Sequence, residues 1–240
     1  MSITVKHVSK KFVISSNRKI SALSQIIGFF TDRAPKRQFE VLKDISFSSN
    51  NGEILGIIGK NGSGKSTLLR VIAGIYTSDS GIVEANGKII PLISLNLGFI
   101  DRLSMRDNIY LCGCLFGMMR QEIRDNFSSI VKYAELDDFV DTKLYQFSSG
   151  MKQRLAFSIA VHCRPDILLI DEVFEIGDER FREKSKKELK KLVSKGTIIL
   201  LVSHDLDLLK KHCGRILWID QGSLVADGKT GLINTYKKQA

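Results

Sequence analysis

Nine consecutive residues constrain this chain more than any others: Gly59-Lys60-Asn61-Gly62-Ser63-Gly64-Lys65-Ser66-Thr67. Ahead of them Glu53-Ile54-Leu55-Gly56-Ile57-Ile58 reads as a short buried strand, and behind them Ser66 to Ala73 reads as the first turns of a helix. A strand that runs through a glycine-rich turn into a helix N-terminus makes an anion cradle. The glycines let successive backbone N–H groups turn inward, and the helix end carries a partial positive charge. The spacing G-x-x-x-x-G-K-[ST] adds a lysine that reaches the β- and γ-phosphates and a hydroxyl that ligates Mg²⁺. The expected ligand is therefore a nucleoside triphosphate with Mg²⁺, held by Gly59, Asn61, Gly62, Ser63, Gly64, Lys65, Ser66 and Thr67, with Ser66 on the metal.

A second half of such a site lies far downstream, where the apolar run Ile167-Leu168-Leu169-Ile170 ends in Asp171-Glu172. In an open parallel sheet ligands sit outside the carboxyl ends of the strands, so the tip of this strand is expected beside the phosphate loop. Asp171 then holds Mg²⁺, directly or through water, and Glu172 acts as general base on the attacking water. A third strand-like run, Gly196-Thr197-Ile198-Ile199-Leu200, brings His204 of Leu201-Val202-Ser203-His204-Asp205 to the same sheet edge. A histidine at a strand tip next to two phosphate motifs is a candidate for function rather than packing.

Between the loop and the acidic strand stands Phe147-Ser148-Ser149-Gly150-Met151-Lys152-Gln153-Arg154-Leu155, followed by an apolar, helix-compatible run. Here the chain resembles the nucleotide-binding subunits of ATP-binding cassette (ABC) transporters, whose signature L-S-G-G-Q stands just ahead of the second acidic motif. The serine and last glycine of that signature are kept, as Ser148 and Gly150; the other three positions differ. The Ser-Ser-Gly-Met variant, together with Asp171-Glu172-Val173-Phe174-Glu175-Ile176-Gly177-Asp178, is similar to exporters of O-antigen, capsular polysaccharide and teichoic acid.

The resemblance implies an α/β fold, a P-loop NTPase core with an antiparallel β portion and an inserted α-helical subdomain. The ligand it implies is ATP. It also implies a homodimer in which Ser148 and Gly150 close on the γ-phosphate held by the opposite subunit, two chains sandwiching two ATP molecules. A serine before a helix is also what an N-cap needs, and both readings hold together. His204 resembles the family's switch histidine. Asp178 resembles the aspartate that communicates across the dimer, with an ordinary turn residue as the other reading. Phe12 stands where the family stacks an aromatic ring on adenine; a core phenylalanine at a strand end is the second reading. The family's usual glutamine between Ile89 and Tyr110 is missing, and Asn96 is the one amide in reach.

At 240 residues, 43% of them hydrophobic and 26% charged, the chain has material for one substantial core but not for two cassettes. The expected organisation is a single nucleotide-binding domain over 1–240, with 1–95 and 165–240 forming the catalytic core and 96–164 the helical part. Candidate helices run from Met105 to Met118 and from Arg120 to Ala134. No apolar stretch approaches the roughly 20 residues a membrane span requires, and the N-terminus lacks the form of a signal peptide. A location on the cytoplasmic face of the membrane follows, with the pore supplied by a dimeric permease partner that handles a lipid-linked glycan. The sequence ends soon after a last strand pair near Trp218 and Leu224, so glycan selection is expected in that partner.

The net charge of +10, from 36 basic and 26 acidic residues, raises an alternative: a soluble cassette ATPase on nucleic acid or ribosomes. The basic residues are spread among acidic ones, as in Glu183-Lys184-Ser185-Lys186-Lys187-Glu188, and no nucleic-acid partner is expected. An exporter for another substrate is the other alternative. Ser15 to Glu40 reads as a short amphipathic helix with basic ends, suited either to docking on a membrane or to solvent. Cys112, Cys114, Cys163 and Cys213 show no metal spacing and read as small buried hydrophobes.

Overall fold

The computed structural model describes residues 1–14, 37–93, 98–171 and 179–239, with the side chains of Ile14 and Arg37 excepted. Strands β1 (Ser2–Ile14) and β2 (Arg37–Asn50) pair antiparallel, Val5 opposite Phe47 and Lys10 opposite Leu42. β4 (Ser80–Asn86) closes the other side of β1, making a three-stranded antiparallel sheet. A six-stranded sheet holds β3 (Ile54–Ile58), β5 (Ile89–Leu92), β6 (Ile167–Asp171), β7 (Ile198–Val202), β8 (Arg215–Asp220) and β9 (Ser223–Gly228) in the order β5-β6-β7-β3-β8-β9. Its pairs are parallel except β8 with β9.

The central strands are apolar along their lengths, with charged residues only at the ends of β6 and β8, because both faces of the sheet are covered. Successive side chains alternate between faces. Ile167, Leu169, Ile198, Leu200 and Val202 join Ile3, Val5, Leu42, Phe47 and the buried residues of α1 (Lys65–Ile72), filling the space toward the antiparallel sheet. Leu168, Ile170, Ile199 and Leu201 point the other way, into a core shared with helices. Those helices are α2 (Met105–Leu115), α3 (Arg120–Ala134), α4 (Ser149–His162), α5 (Glu179–Ser194), α6 (Leu206–His212) and α7 (Leu232–Gln239).

β5 and β6 pair directly, Ile89 with Ile167 and Leu92 with Ile170, although α2, α3 and α4 lie between them in the chain. The helical stretch is thus an excursion between two neighbouring strands. Its entry is fixed by Ser104, whose Oγ accepts from the Asp107 N–H at 3.1 Å while the Asp107 carboxylate accepts from the Ser104 N–H at 3.4 Å, a reciprocal cap. Backbone bonds then lace the segment before α2 to the one before α4: Met105 N–H to the Thr142 carbonyl at 2.9 Å, and Leu144 N–H to that of Leu103 at 3.1 Å.

Three expectations need correction. The helix from Met105 ends at Leu115 rather than Met118, and Gly117 beyond it takes the left-handed φ of 76° that closes the turn. Residues 37–40, read as part of an amphipathic helix, open β2 instead, because Phe39 and Glu40 find partners in Phe12 and Lys11 of β1; the rest of that segment lies outside the described residues. Cys112, Cys163 and Cys213 are buried, which pushes each thiol up to about 12, whereas Cys114 is exposed. Among the described residues no helix is long and apolar enough to cross a membrane.

Candidate functional site

Three strand ends lie level with one another. Asp171 at the tip of β6 pairs with Val202 of β7, and Val202 pairs in turn with Ile57 of β3. Neighbouring strands lie about 4.8 Å apart, so Asp171 stands about two strand spacings from the strand that feeds the phosphate loop. β7 lies between them and delivers Ser203 and His204 to the middle of the same edge. The sheet order therefore unites motifs separated by more than a hundred residues of chain.

The loop leaves β3 at Gly59 and enters α1 at Lys65. Lys65 is only 6% exposed, and its ammonium donates to the Gly59 carbonyl at 2.8 Å and the Lys60 carbonyl at 2.9 Å. A buried lysine is tolerated only with such partners, and here they hold its charge inside the curl of the loop. Gly59 cannot be replaced: a β-carbon there would lie 2.0 Å from the Ile219 carbonyl oxygen and 2.6 Å from Ser63 Oγ. Gly64, at φ 110°, is similarly pressed against the Val41 carbonyl, 2.8 Å from the place of its missing β-carbon.

A cleft of about 510 Å³ opens over this loop, lined by Val41, Asn61, Gly62, Gly64, Lys65, Ser66, Thr67 and His204. Six of the loop residues expected from the sequence thus meet in one concavity with the histidine. Gly59 and Ser63 stand behind it. The Ser63 N–H donates to the Lys60 carbonyl at 3.1 Å and its own carbonyl accepts from the Gly222 N–H at 3.0 Å, so this residue anchors the loop to the turn between β8 and β9. Val41 was missed by sequence reasoning. It is an ordinary strand valine, and only the folding of β2 over the loop gives it a place at the cleft.

The remaining candidates lie around this centre. His204 is exposed and follows Ser203, whose Oγ accepts from the Asp205 N–H at 3.0 Å; Asp205 caps α6 by accepting from the N–H groups of Asp207 and Leu208. Asp171 is 8% exposed. Phe12 is half-buried and lies outside the cleft lining, its ring 5.4 Å edge-on to Tyr76 with the Lys10 ammonium 5.5 Å from its centroid. Ser148 caps α4, its Oγ accepting from the Met151 N–H at 3.2 Å, and it is exposed with Gly150 half-exposed beside it. These two do not join the cleft within one chain. Glu172, Asp178 and Asn96 lie outside the described residues.

The donor set suits a triphosphate: a loop in which Gly59 and Gly64 admit no β-carbon, a buried ammonium at its centre, two hydroxyls at the helix start and a carboxylate at a strand tip on the same sheet edge. Comparison with known proteins agrees. The family model for the ABC transporter matches residues 42–175. The chain belongs to the ABC transporter family.

Among similar proteins of this family, the O-antigen export system ATP-binding protein RfbB of Myxococcus xanthus is 41% identical over 199 residues, 83% of this chain and 46% of that protein. The teichoic acids export ATP-binding protein TagH of Lactococcus lactis is 38% identical over 231 residues, 95% of this chain and 48% of that one. The RfbB of Klebsiella pneumoniae is 38% identical over 214 residues, covering 86% and 87%. The chain thus spans about half the length of the first two. A solved dimeric bacterial ABC transporter cassette superposes with a TM-score of 0.75 at 25% identity, covering 95% of this chain and 98% of that one. The expected ABC ATPase fold, strands and helical excursion included, is the one observed.

Proposed function

We propose that this chain is the ATP-binding and hydrolysing part of an ABC exporter that moves a lipid-linked polysaccharide of the O-antigen, capsule or teichoic acid type across the cytoplasmic membrane. The observation that carries the reading is the convergence of Lys65, Ser66, Asp171 and His204 on one sheet edge. The export proteins of the same family, matched over most of this chain, point to the substrate class. In this reading residues 1–95 and 165–240 form the catalytic core and 96–164 the helical part of one domain.

The loop N–H groups and Lys65 bind the β- and γ-phosphates, the α1 N-terminus adding its dipole. Ser66 and Asp171 hold Mg²⁺, which neutralises charge on the phosphate oxygens. Glu172 takes the proton of the attacking water and His204 orients that water against the γ-phosphate. Phe12 stacks on adenine. Ser148 and Gly150 engage the γ-phosphate of a second copy, with Asp178 at the contact between copies. ATP binding closes this homodimer and hydrolysis reopens it, and a dimeric integral membrane permease converts the motion into export. The chain then works at the cytoplasmic face of the membrane without a nucleic-acid partner.

Glu172→Gln tests the reading. Removing the base is expected to lower turnover by about 100- to 10,000-fold while ATP still binds and holds the dimer closed. Affinity capture of this variant with Mg-ATP from solubilised membranes should bring down a polytopic membrane protein. Brisk turnover by the variant would unseat the base; ribosomes or DNA-repair proteins in the captured fraction would move the chain to the soluble cassette ATPases.

A further inference from the structure

Three helices meet at one junction, and each contributes one ring and one charge. At the end of α3 stand Tyr133 and Glu135, on α4 Arg154 and Phe157, on α5 Phe181 and Lys184. The rings form a triangle: Tyr133 to Phe157 6.2 Å, Tyr133 to Phe181 6.1 Å, Phe157 to Phe181 6.2 Å between centroids. Beside it, one oxygen of the Glu135 carboxylate accepts from the Lys184 ammonium at 3.0 Å, and the other lies 3.9 Å from the Arg154 guanidinium. Lys184 also donates to the Tyr133 carbonyl at 2.8 Å and sits 4.4 Å over the Tyr133 ring.

Glu135 reaches this position through an unusual backbone. It closes α3 at φ 57° and ψ 49°, the left-handed conformation that glycine normally supplies at a helix C-terminus. A side chain there is disfavoured, and such strain persists where the surroundings over-determine it. The left-handed turn is what puts residue 135 on the same side as Tyr133, where a helical residue two positions on would point away. Glu135 and Lys184 also line an open cleft of about 520 Å³, so their ion pair is reached by solvent and adds little to plain stability.

The two helices joined by this carboxylate carry opposite halves of the machinery. α4 starts at the signature serine, and Arg154 lies six residues, about 9 Å along the axis, from Ser148. α5 starts directly after the segment that holds Glu172 and Asp178. The ring triangle, edge-on at Phe181, holds the helices together through soft packing preferences, whereas the Glu135 carboxylate, hydrogen-bonded to Lys184 and in ion-pair reach of Arg154, adds a charge-specific tie between α4 and α5. We infer that Glu135 is a positioning residue for ATP hydrolysis, setting the signature helix against the helix that follows the acidic motif. This rests on the function proposed above.

The test measures kcat and KM for Mg-ATP, and Tm, for the full chain, Glu135→Gln and Glu135→Gly. Gln keeps the shape and the strained backbone but removes the charge; Gly removes the charge and relieves the strain. The phosphate loop is untouched, so KM is expected within about twofold of the parent in both, while kcat falls by about 2- to 30-fold, the range of coupling changes caused by residues away from the ligand. Gly should match or exceed the parent Tm, so a kcat loss shared by both variants separates positioning from stability. Unchanged kcat in both, or a kcat that follows Tm and returns in the Gly variant, overturns the inference alone. Absence of turnover in the parent chain overturns the proposed function and the inference together.

Discussion

The phosphate loop and the signature segment both stand at helix N-termini, and the proposed function gives each a share of the ATP; yet they are built in opposite ways. At the first, Gly59 and Gly64 pressed against backbone, a buried ammonium and a cleft lined by eight residues give a shape fixed by one chain. At the second, Ser148 stands exposed on the end of α4, and its hydroxyl already serves the Met151 N–H. A site finished within one chain binds its ligand without help. A helix end left at the surface suits a ligand brought by another molecule, and under the proposed function a monomer would load ATP that only a dimer could use.

The largest expected effect strikes the finished site. Gly59→Ala would set a β-carbon against the Ile219 carbonyl, backbone that cannot swing aside, and should destabilise the fold by about 4 kcal/mol or more. Gly62→Ala meets nothing within 4 Å and carries only the left-handed strain of φ 78°, about 1–2 kcal/mol. Thermal denaturation of the pair separates steric need from conformational need; equal losses would mean the loop is less tightly held than described.

Next comes Lys65→Ala, which removes the ammonium at the centre of the loop and should weaken ATP binding by the monomer roughly 100-fold, the worth of a strong charge-assisted bond. Ser148→Ala sharpens the contrast. Losing the cap costs α4 about 1 kcal/mol, yet ATP binding by the monomer should be unchanged, while self-association in Mg-ATP weakens several-fold. Titration with a fluorescent nucleotide and sedimentation of the ATP-bound species give the two readings. Loss of monomer binding in Ser148→Ala would make the signature part of the same half-site, and the comparison would fail.

Much of this was legible in the chain itself. The loop, the acidic strand and the serine cap each rest on local chemistry, so their spacing predicts them, and β3, β6 and α4 lie where the apolar runs place them. The sheet order was not legible: nothing local says that β7 separates β3 from β6, and that order decides that His204 faces the loop while Asp171 stands two strands away. Val41 and Glu135 were invisible for the same reason. A valine in a strand and a glutamate after a helix are ordinary until long-range packing puts one at the cleft and the other in a left-handed turn between two helices. Residues 37–40 were misread because their partners lie in β1, more than twenty residues away in the sequence.

The smallest expected effect concerns α6, the helix that follows His204 and ends at His212. Burial holds the His212 imidazole below its ordinary value of 6.5, and Lys190, Lys186 and Lys211 add to the depression, with Glu183 opposing them. The folded protein therefore resists taking the proton that the unfolded chain accepts. Below about pH 6.5 the unfolded state binds more protons at this position, so the contribution of His212 to stability is present above that pH and lost as the pH falls. His212→Gln keeps a polar side chain of similar size without the titration, and its Tm should decline less between pH 7 and pH 5 than that of the parent. The exposed lysines around the site screen and are screened by salt, so the difference should narrow at high ionic strength. A variant whose Tm falls with pH as steeply as the parent's would place the acid sensitivity of this edge elsewhere, with Glu183 and Glu188, which pair with Lys186 and Lys191 along α5, as the next groups to titrate.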